Sequence, residues 1–165
     1  TRQPFTIRSY NAFMIASVAM KNAISEAIAP LGMYAEVSVS VQVFPAERLA
    51  FYVTCRPCSE DGLPAGIIPA TPTRVLRALR RSISKVSRGT LSQSELEGLK
   101  STLRNGMATK VAQPSFLISA VMMRNSECKD IVSNYQSAIN AVTLADVNAV
   151  LHELDFGSKV EYIIR

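Results

Sequence analysis

The spacing of the hydrophobic residues changes once near the start of this chain, at Pro30 and Gly32. Before them, over residues 10–29, apolar side chains recur every three or four positions, as on a helix with a largely buried surface. After them, over residues 33–44, valines alternate with polar residues, which is the period of a strand with one buried face. Proline ends a helix and glycine accepts the backbone angles that follow one. The pattern predicts a buried helix joined by a turn to a strand.

The remainder of the chain extends this pattern to an α+β domain. A turn over residues 45–47 and a second alternating run over residues 49–54 predict an antiparallel hairpin. Helical periods follow at 74–88 and from the Ser92–Glu95 capping box to Pro114. Further helices are predicted at about 115–124, 129–140 and 144–153, the last opened by Thr143 with Asp146 three residues on. A closing strand is predicted over 159–165. The fold class is therefore α+β, with an antiparallel or mixed sheet packed against several helices.

Length and composition are those of one folded unit. The 165 residues are 48% hydrophobic and 19% charged, enough to form a single core, so we expect one domain over residues 1–165. Apolar stretches such as residues 12–20 are shorter than the roughly 20 residues that span a bilayer, which predicts no membrane insertion. The chain starts at Thr1 with no signal-peptide pattern, and we expect a fragment of a longer multi-domain chain.

The chain has too few metal-binding side chains for a common hydrolytic or metal-dependent centre. His152 is its single histidine, so no helical two-histidine zinc motif can be formed. Phosphate-binding loops, dinucleotide-binding glycine turns and the Gly-x-Ser-x-Gly elbow are also absent from the sequence. We therefore assign no catalytic residue and no metal ligand to this chain, and we expect His152 to be a structural or partly exposed helix residue.

The predicted helix 74–88 has a basic stripe opposite its apolar one. The stripe consists of Arg74, Arg77, Arg81, Lys85 and Arg88, and the net charge of the whole chain is +5. Five cations on one helix could neutralise nucleic-acid phosphates. No aromatic residues interleave with them and no RNA-binding or helix-turn-helix signature occurs, so a solvated face or a surface docking on another domain is the favoured interpretation.

Cys55 and Cys58 have the Cys-x-x-Cys spacing of a redox motif or of half a zinc knuckle. A second cysteine pair is missing, and the motif follows a strand into a loop, whereas the redox form lies at a helix start. A strand-end cysteine beside a loop cysteine is therefore the simpler interpretation.

Two segments resemble the pitrilysin/insulinase family of zinc metallopeptidases, to which the processing peptidases belong. Residues 134–147, with the sequence NYQSAINAVTLADV, resemble the late-helix signature of that family, and residues 91–100, LSQSELEGLK, resemble the start of its long helix. The opening helix, followed by Gly32-Met33-Tyr34 and a hairpin, is in the expected order. The resemblance covers nearly the whole chain.

The resemblance implies the place of this chain in a larger enzyme. Zinc would be bound by an inverted His-x-x-Glu-His motif in the catalytic domain of the parent protein, and this chain lacks that motif. It resembles a later, non-catalytic and C-terminal domain, with its leading strands reduced to residues 5–8. Active members have a substrate-contacting tyrosine at the start of the first strand and an arginine seven residues before it. Tyr34 matches the tyrosine, whereas the arginine position is Ala27.

The expected function is a non-catalytic domain that closes the peptide-binding chamber of a zinc metalloendopeptidase and packs on its catalytic half. Its partners would be the catalytic domain, in the same or another polypeptide, and a peptide substrate. Two alternatives remain, namely a structural or assembly subunit of the inactive family type, and nucleic-acid binding through the basic helix.

Overall fold

The computed structural model of the protein describes residues 6–42, 48–58, 70–127, 130–153 and 161. Over these residues it confirms the α+β class, with six α-helices and a two-stranded antiparallel sheet. The elements are α1 (Ile7–Ile28), a 3₁₀ turn (Ala29–Leu31), β1 (Met33–Gln42), β2 (Arg48–Pro57), α2 (Pro72–Arg88), α3 (Gln93–Val111), α4 (Pro114–Glu127), α5 (Tyr135–Asn140) and α6 (Leu144–His152).

Helix α1 is the centre of the core. Thr6 caps it, with its side chain accepting a hydrogen bond from the Ser9 amide while the Ser9 hydroxyl accepts one from the Thr6 amide. Eleven of its residues are buried, and the helix contacts β1, α2, α3, α5 and α6. The predicted strand over residues 5–8 is therefore wrong at Ile7 and Arg8, because the cap at Thr6 starts the helix there. Phe5 lies outside the described residues.

The segment Ile7–Leu31 is long and apolar enough to cross a membrane by length and composition. The sequence-based expectation of no membrane insertion does not take account of this, because it considers only uninterrupted apolar runs. Half of the most apolar stretch of this segment is buried inside the fold, against the sheet and the other helices. A core helix of a globular domain passes the same test of length and hydropathy.

The turn after α1 confirms the predicted change of period. Gly32 has φ 66°, in the left-handed region that suits glycine. Strands β1 and β2 then pair in one antiparallel register, from Met33 opposite Pro57 to Gln42 opposite Arg48. Odd-numbered residues such as Ala35, Val37 and Val53 face α1. Phe51 stacks on Phe13 of α1, with ring centroids 4.3 Å apart, and so connects the sheet to the helices.

The other helices cover α1 with the apolar lines that the sequence predicts. In α3 the buried residues include Leu96, Leu99, Leu103 and Met107, and in α6 they are Val147, Val150 and Leu151. Both predicted caps are confirmed, since Ser92 with Glu95 and Thr143 with Asp146 form reciprocal capping boxes. Pro114 follows the end of α3, as predicted, and also starts α4, where a missing amide donor costs nothing.

The predicted helix over residues 129–140 is wrong in its first part. Residues 131–134 form bends and turns, and α5 begins only at Tyr135. The Asp130 carboxylate accepts hydrogen bonds from the amides of Val132 and Ser133, at 3.0 and 2.8 Å, and Asn134 has φ 55°. Aspartate competes for backbone amides in this way at turns. Except for Glu161, the strand predicted over 159–165 lies outside the described residues.

Candidate functional site

The outer face of the sheet is the surface that contains Tyr34. Because strand side chains alternate, the even-numbered residues point away from α1. This outer sheet face consists of Tyr34, Glu36 and Ser38 from β1 and Tyr52, Thr54 and Arg56 from β2, all of them exposed. Tyr34 and Tyr52 are 59% and 56% exposed, which is high for side chains of their size.

Tyr34 is held at the start of β1 by a well-bonded turn. The carbonyl of Gly32 accepts a hydrogen bond from the amide of Cys58, and that of Leu31 accepts one from the amide of Ala70, each at 3.0 Å. The phenol is therefore presented on a paired strand next to a turn that is bonded to two other segments.

The hairpin register determines the neighbours of Tyr34. Its direct cross-strand partner is Arg56, Glu36 lies opposite Thr54, and Ser38 lies opposite Tyr52. Two phenols, a guanidinium, a carboxylate and two hydroxyls therefore share one face. Such a mixture can hydrogen-bond peptide groups and cover apolar side chains. Sequence reasoning singled out Tyr34 but not Tyr52 or Arg56. The alternation over residues 49–54 contains a signal for Tyr52, because it places that side chain on the face opposite Phe51, whereas Arg56 follows the predicted strand.

Ala27 occupies the last turn of α1, seven residues before Tyr34. It is half-buried and packs against the hydrophobic core. The side chain here is a methyl group, whereas active members of the resembling family have an arginine at this position. Of that two-residue pattern, only the tyrosine is present to contact a ligand.

The other titratable candidates are dispersed. His152 is the exposed last residue of α6. Cys55 and Cys58 are free and half-buried, and burial raises the pKa of the Cys55 thiol, which opposes formation of a reactive thiolate. Among the residues that the structure describes, no group of three or more His, Cys, Asp or Glu side chains could hold a metal ion.

A groove of about 940 Å³ runs along α2 and contains most of the predicted basic stripe. Its lining, which we call the basic groove, is Thr73, Leu76, Arg77, Arg80, Arg81, Ser84, Lys85, Arg88 and Gly89. Arg80 also lines the basic groove, although the predicted basic stripe does not include it. Its side chain forms an ion pair with Glu161. The partner lies 81 positions away, so the sequence contains no local signal for the pair.

Comparisons with known proteins identify the fold. No family model and no curated protein matches the sequence. Among solved structures, the chain is similar to the ferredoxin protease FusC, a mutant of which was crystallised in complex with Arabidopsis ferredoxin. The TM-score is 0.63 at 14% identity, over 93% of this chain and 16% of the length of the protease chain. The chain therefore has the fold of one part of a much longer protease.

Proposed function

We propose that this chain is a non-catalytic domain of a zinc metallopeptidase of the pitrilysin/insulinase type, closing its peptide chamber and packing on its catalytic half. The observation that carries the proposal is the match of 93% of the chain to part of a protease crystallised with a protein. The family resemblance of residues 91–100 and 134–147 supports it from the sequence. In this proposal the chain is one domain of a longer protein.

The catalytic zinc belongs, in this proposal, to another domain of the same polypeptide or of a partner. The chain's single histidine, His152, stands at the exposed end of α6. A zinc site needs three or four ligands that converge in space, which one histidine on a helix end does not provide. The role of this chain is then to bind and orient a peptide for a metal held elsewhere.

Tyr34 is our candidate for contact with the peptide. Its exposed phenol combines a large apolar ring with a hydroxyl that can donate to a peptide carbonyl. Tyr52, Thr54 and Arg56 on the same face would extend this contact along the peptide.

Helix α4 has the surface that we propose to pack on the catalytic half. Its inner side places Phe116, Ala120 and Met123 in a small cluster around Tyr10. Its outer side exposes Leu117, Ile118 and Val121, at 38%, 62% and 53%. Contiguous exposed apolar side chains are typical of protein contacts.

Two measurements on the purified 165-residue chain test the proposal. Zinc analysis together with a fluorogenic-peptide assay should find neither stoichiometric zinc nor cleavage. Amide chemical-shift mapping by NMR with an uncharged extended peptide should show shifts concentrated on the outer sheet face. Tyr34→Ala should weaken these shifts and Tyr34→Phe should weaken them less, while Lys21→Ala, on an exposed part of α1, should leave them unchanged. Intrinsic zinc-dependent proteolysis, or shifts confined to other surfaces, would contradict the proposal.

A structural or assembly role in an inactive member of the family is the second candidate, and Ala27 favours it. The family pattern that accompanies peptide contact is incomplete without an arginine there. Ala27→Arg is therefore informative. If the domain contacts peptide, the added guanidinium, which completes the family pattern, should strengthen peptide binding. An assembly domain should show no peptide binding in either form.

A further inference from the structure

The basic groove contains positive charge that the described part of the chain does not neutralise. Among the described residues, the ion pairs involve Arg8, Arg80, Lys100 and Arg124, so within the groove only Arg80 is paired. The sequence of α2 contains no aspartate or glutamate. Arg77, Arg81 and Lys85 follow one another at four-residue spacing, and like charges at that spacing repel and destabilise a helix.

The groove lies on the helical side of the fold. Helix α2 packs through Val75, Leu79 and Ile83, and its neighbours are α1 and α6. The outer sheet face shares no residue with the basic groove, and it lies on the side of the sheet that points away from α1. A ligand in the basic groove would therefore not compete with a peptide at Tyr34.

The contact of Arg80 shows that this face of α2 binds a carboxylate group. Its guanidinium binds the Glu161 carboxylate as a fork, with Nε 3.1 Å from Oε1 and Nη2 2.6 Å from Oε2. Fork-shaped pairing of this kind is the strong and directional form of arginine–carboxylate recognition. Arg77 and Arg81 line the same groove and have the same donors.

We propose that the basic groove of α2 binds an extended acidic segment of a partner protein. Four helical residues span about 6 Å, which is the separation along the axis between Arg77, Arg81 and Lys85. In an extended peptide, alternate side chains are about 6.7 Å apart on one face. A segment with glutamate or aspartate at every second position therefore brings one carboxylate to each of these cations. Ser84, which also lines the groove, can donate a hydrogen bond to the peptide backbone.

The observations favour protein over nucleic acid as the partner. Helix α2 has no aromatic side chain, so it has no ring on which an unpaired base could stack. The anionic group already bound on this helix is a carboxylate. The proposal is independent of the peptide contact proposed at Tyr34.

Fluorescence anisotropy with two labelled peptides of about 12 residues, long enough to span the three cations, tests the proposal. One alternates glutamate with serine, and the other has glutamine in place of each glutamate. We expect the wild-type chain to bind the glutamate peptide at least about tenfold more tightly than the glutamine peptide at low salt, because only the former carries charge. Binding should weaken as salt is raised. Arg77→Glu/Arg81→Glu should reduce the affinity for the glutamate peptide at least about tenfold.

The matched control is Lys21→Glu/Lys110→Glu, which changes the net charge equally at exposed positions on α1 and α3. It should alter the affinity less than about threefold, because those charges lie outside the groove. Tyr34→Ala should bind the acidic peptide like the wild type, which separates this site from the proposed peptide contact. Equal losses in both double variants would overturn the proposal, since they would indicate attraction by net charge alone. A labelled single-stranded oligonucleotide that binds more tightly than the glutamate peptide, with loss in the Arg77/Arg81 variant, would overturn it in favour of nucleic acid.

Discussion

At the scale of single residues, long-range polar contacts connect helix ends to α1 and α3. The Arg8 guanidinium contacts Asp146 Oδ2 through Nε at 2.9 Å and Nη2 at 2.8 Å. The same carboxylate caps α6 by accepting from the amide and hydroxyl of Thr143. Partial burial alone would raise the pKa of Asp146, but the bonds from Thr143 and Arg8 outweigh it and hold that pKa below its usual value. The start of α1 and the start of α6 are thereby joined.

Asp146→Asn should lower the free energy of unfolding by about 1–2 kcal/mol at pH 7, because it weakens a helix cap and removes an ion pair. A folded-state pKa below the unfolded one means that the ionised carboxylate stabilises the fold above the unfolded pKa of about 3.9. This contribution is lost as the pH falls through the folded pKa. Urea denaturation from neutral to strongly acidic pH should therefore show the difference between wild type and variant disappearing in acid. Glu26→Gln, at an exposed position of α1, is the control and should show little effect at any pH.

Lys100 is a buried cation with two partners. Its side chain is 7% exposed, and its Nζ donates to Glu97 Oε1 and to the main-chain carbonyl of Asn140, each at 3.1 Å. The second bond satisfies a carbonyl at the end of α5, which would otherwise lack an intrahelical partner.

Lys100→Met should cost about 1–3 kcal/mol of unfolding free energy, because it keeps most of the apolar stem but leaves that carbonyl without its donor. Urea denaturation measures the loss. Lys110→Met, at an exposed position of the same helix, should change stability by less than about 0.5 kcal/mol. Equal effects of the two substitutions would contradict the role assigned to the Asn140 contact.

At the scale of elements, the glycines of α3 have no steric reason to be glycine within the described structure. A Cβ added at Gly98 or Gly106 would meet no atom within 4 Å. Both lie on the exposed side of a helix, where glycine is unfavourable because of its backbone entropy. Gly32 differs, since its φ of 66° is costly for any residue with a Cβ.

Gly98→Ala and Gly106→Ala should each raise the free energy of unfolding by about 0.5–1 kcal/mol. Gly32→Ala should lower it by about 1 kcal/mol, because alanine must adopt a left-handed conformation. Thermal denaturation followed by circular dichroism tests all three. A loss of stability in either α3 variant would contradict the open space around that glycine, since a methyl group there would then have to meet a neighbour.

In the molecule as a whole, the main hydrophobic core of the described residues joins the sheet to the helices. Phe13 is fully buried in α1, and its ring stacks on Phe51 of β2 at an interplanar angle of 16°. Ile24 of the same helix, together with Leu96 and Leu151 of neighbouring helices, is also inaccessible to solvent. Because the Phe13–Phe51 pair connects the sheet to α1, we expect it to contribute strongly to the cooperativity of unfolding.

Phe13→Ala should lower the free energy of unfolding by about 3–5 kcal/mol through lost burial and an unfilled cavity. Phe51→Ala should cost less, because Phe51 is only half-buried. A double-mutant cycle by urea denaturation should give a coupling of about 0.5–1.5 kcal/mol between the rings. If Phe13→Leu retains a folded chain while Phe13→Ala does not, the Leu variant allows the cycle to be completed. Additive effects would contradict a specific ring contact.

Local sequence patterns predict the helical and strand periods, the turn at Gly32, and the capping boxes at Ser92 and Thr143. These features depend on residues within about one turn or one strand of each other, so their physical causes are local. The same reasoning placed Tyr34 at the start of a strand with one buried face. It failed over residues 131–134, where the Asp130 carboxylate competes for the backbone amides that a helix would use.

The contacts between distant residues could not be predicted from these local patterns. Arg8 with Asp146, Lys100 with Asn140 and Arg80 with Glu161 are separated by 138, 40 and 81 positions. The sequence pattern shows that each side chain is polar, but polarity alone does not choose its partner. That choice depends on how α1, α3 and α6 cross in the core, which is set by the packing of apolar side chains from the entire chain. Packing likewise assembles the outer sheet face and leaves the cations of α2 exposed on one side.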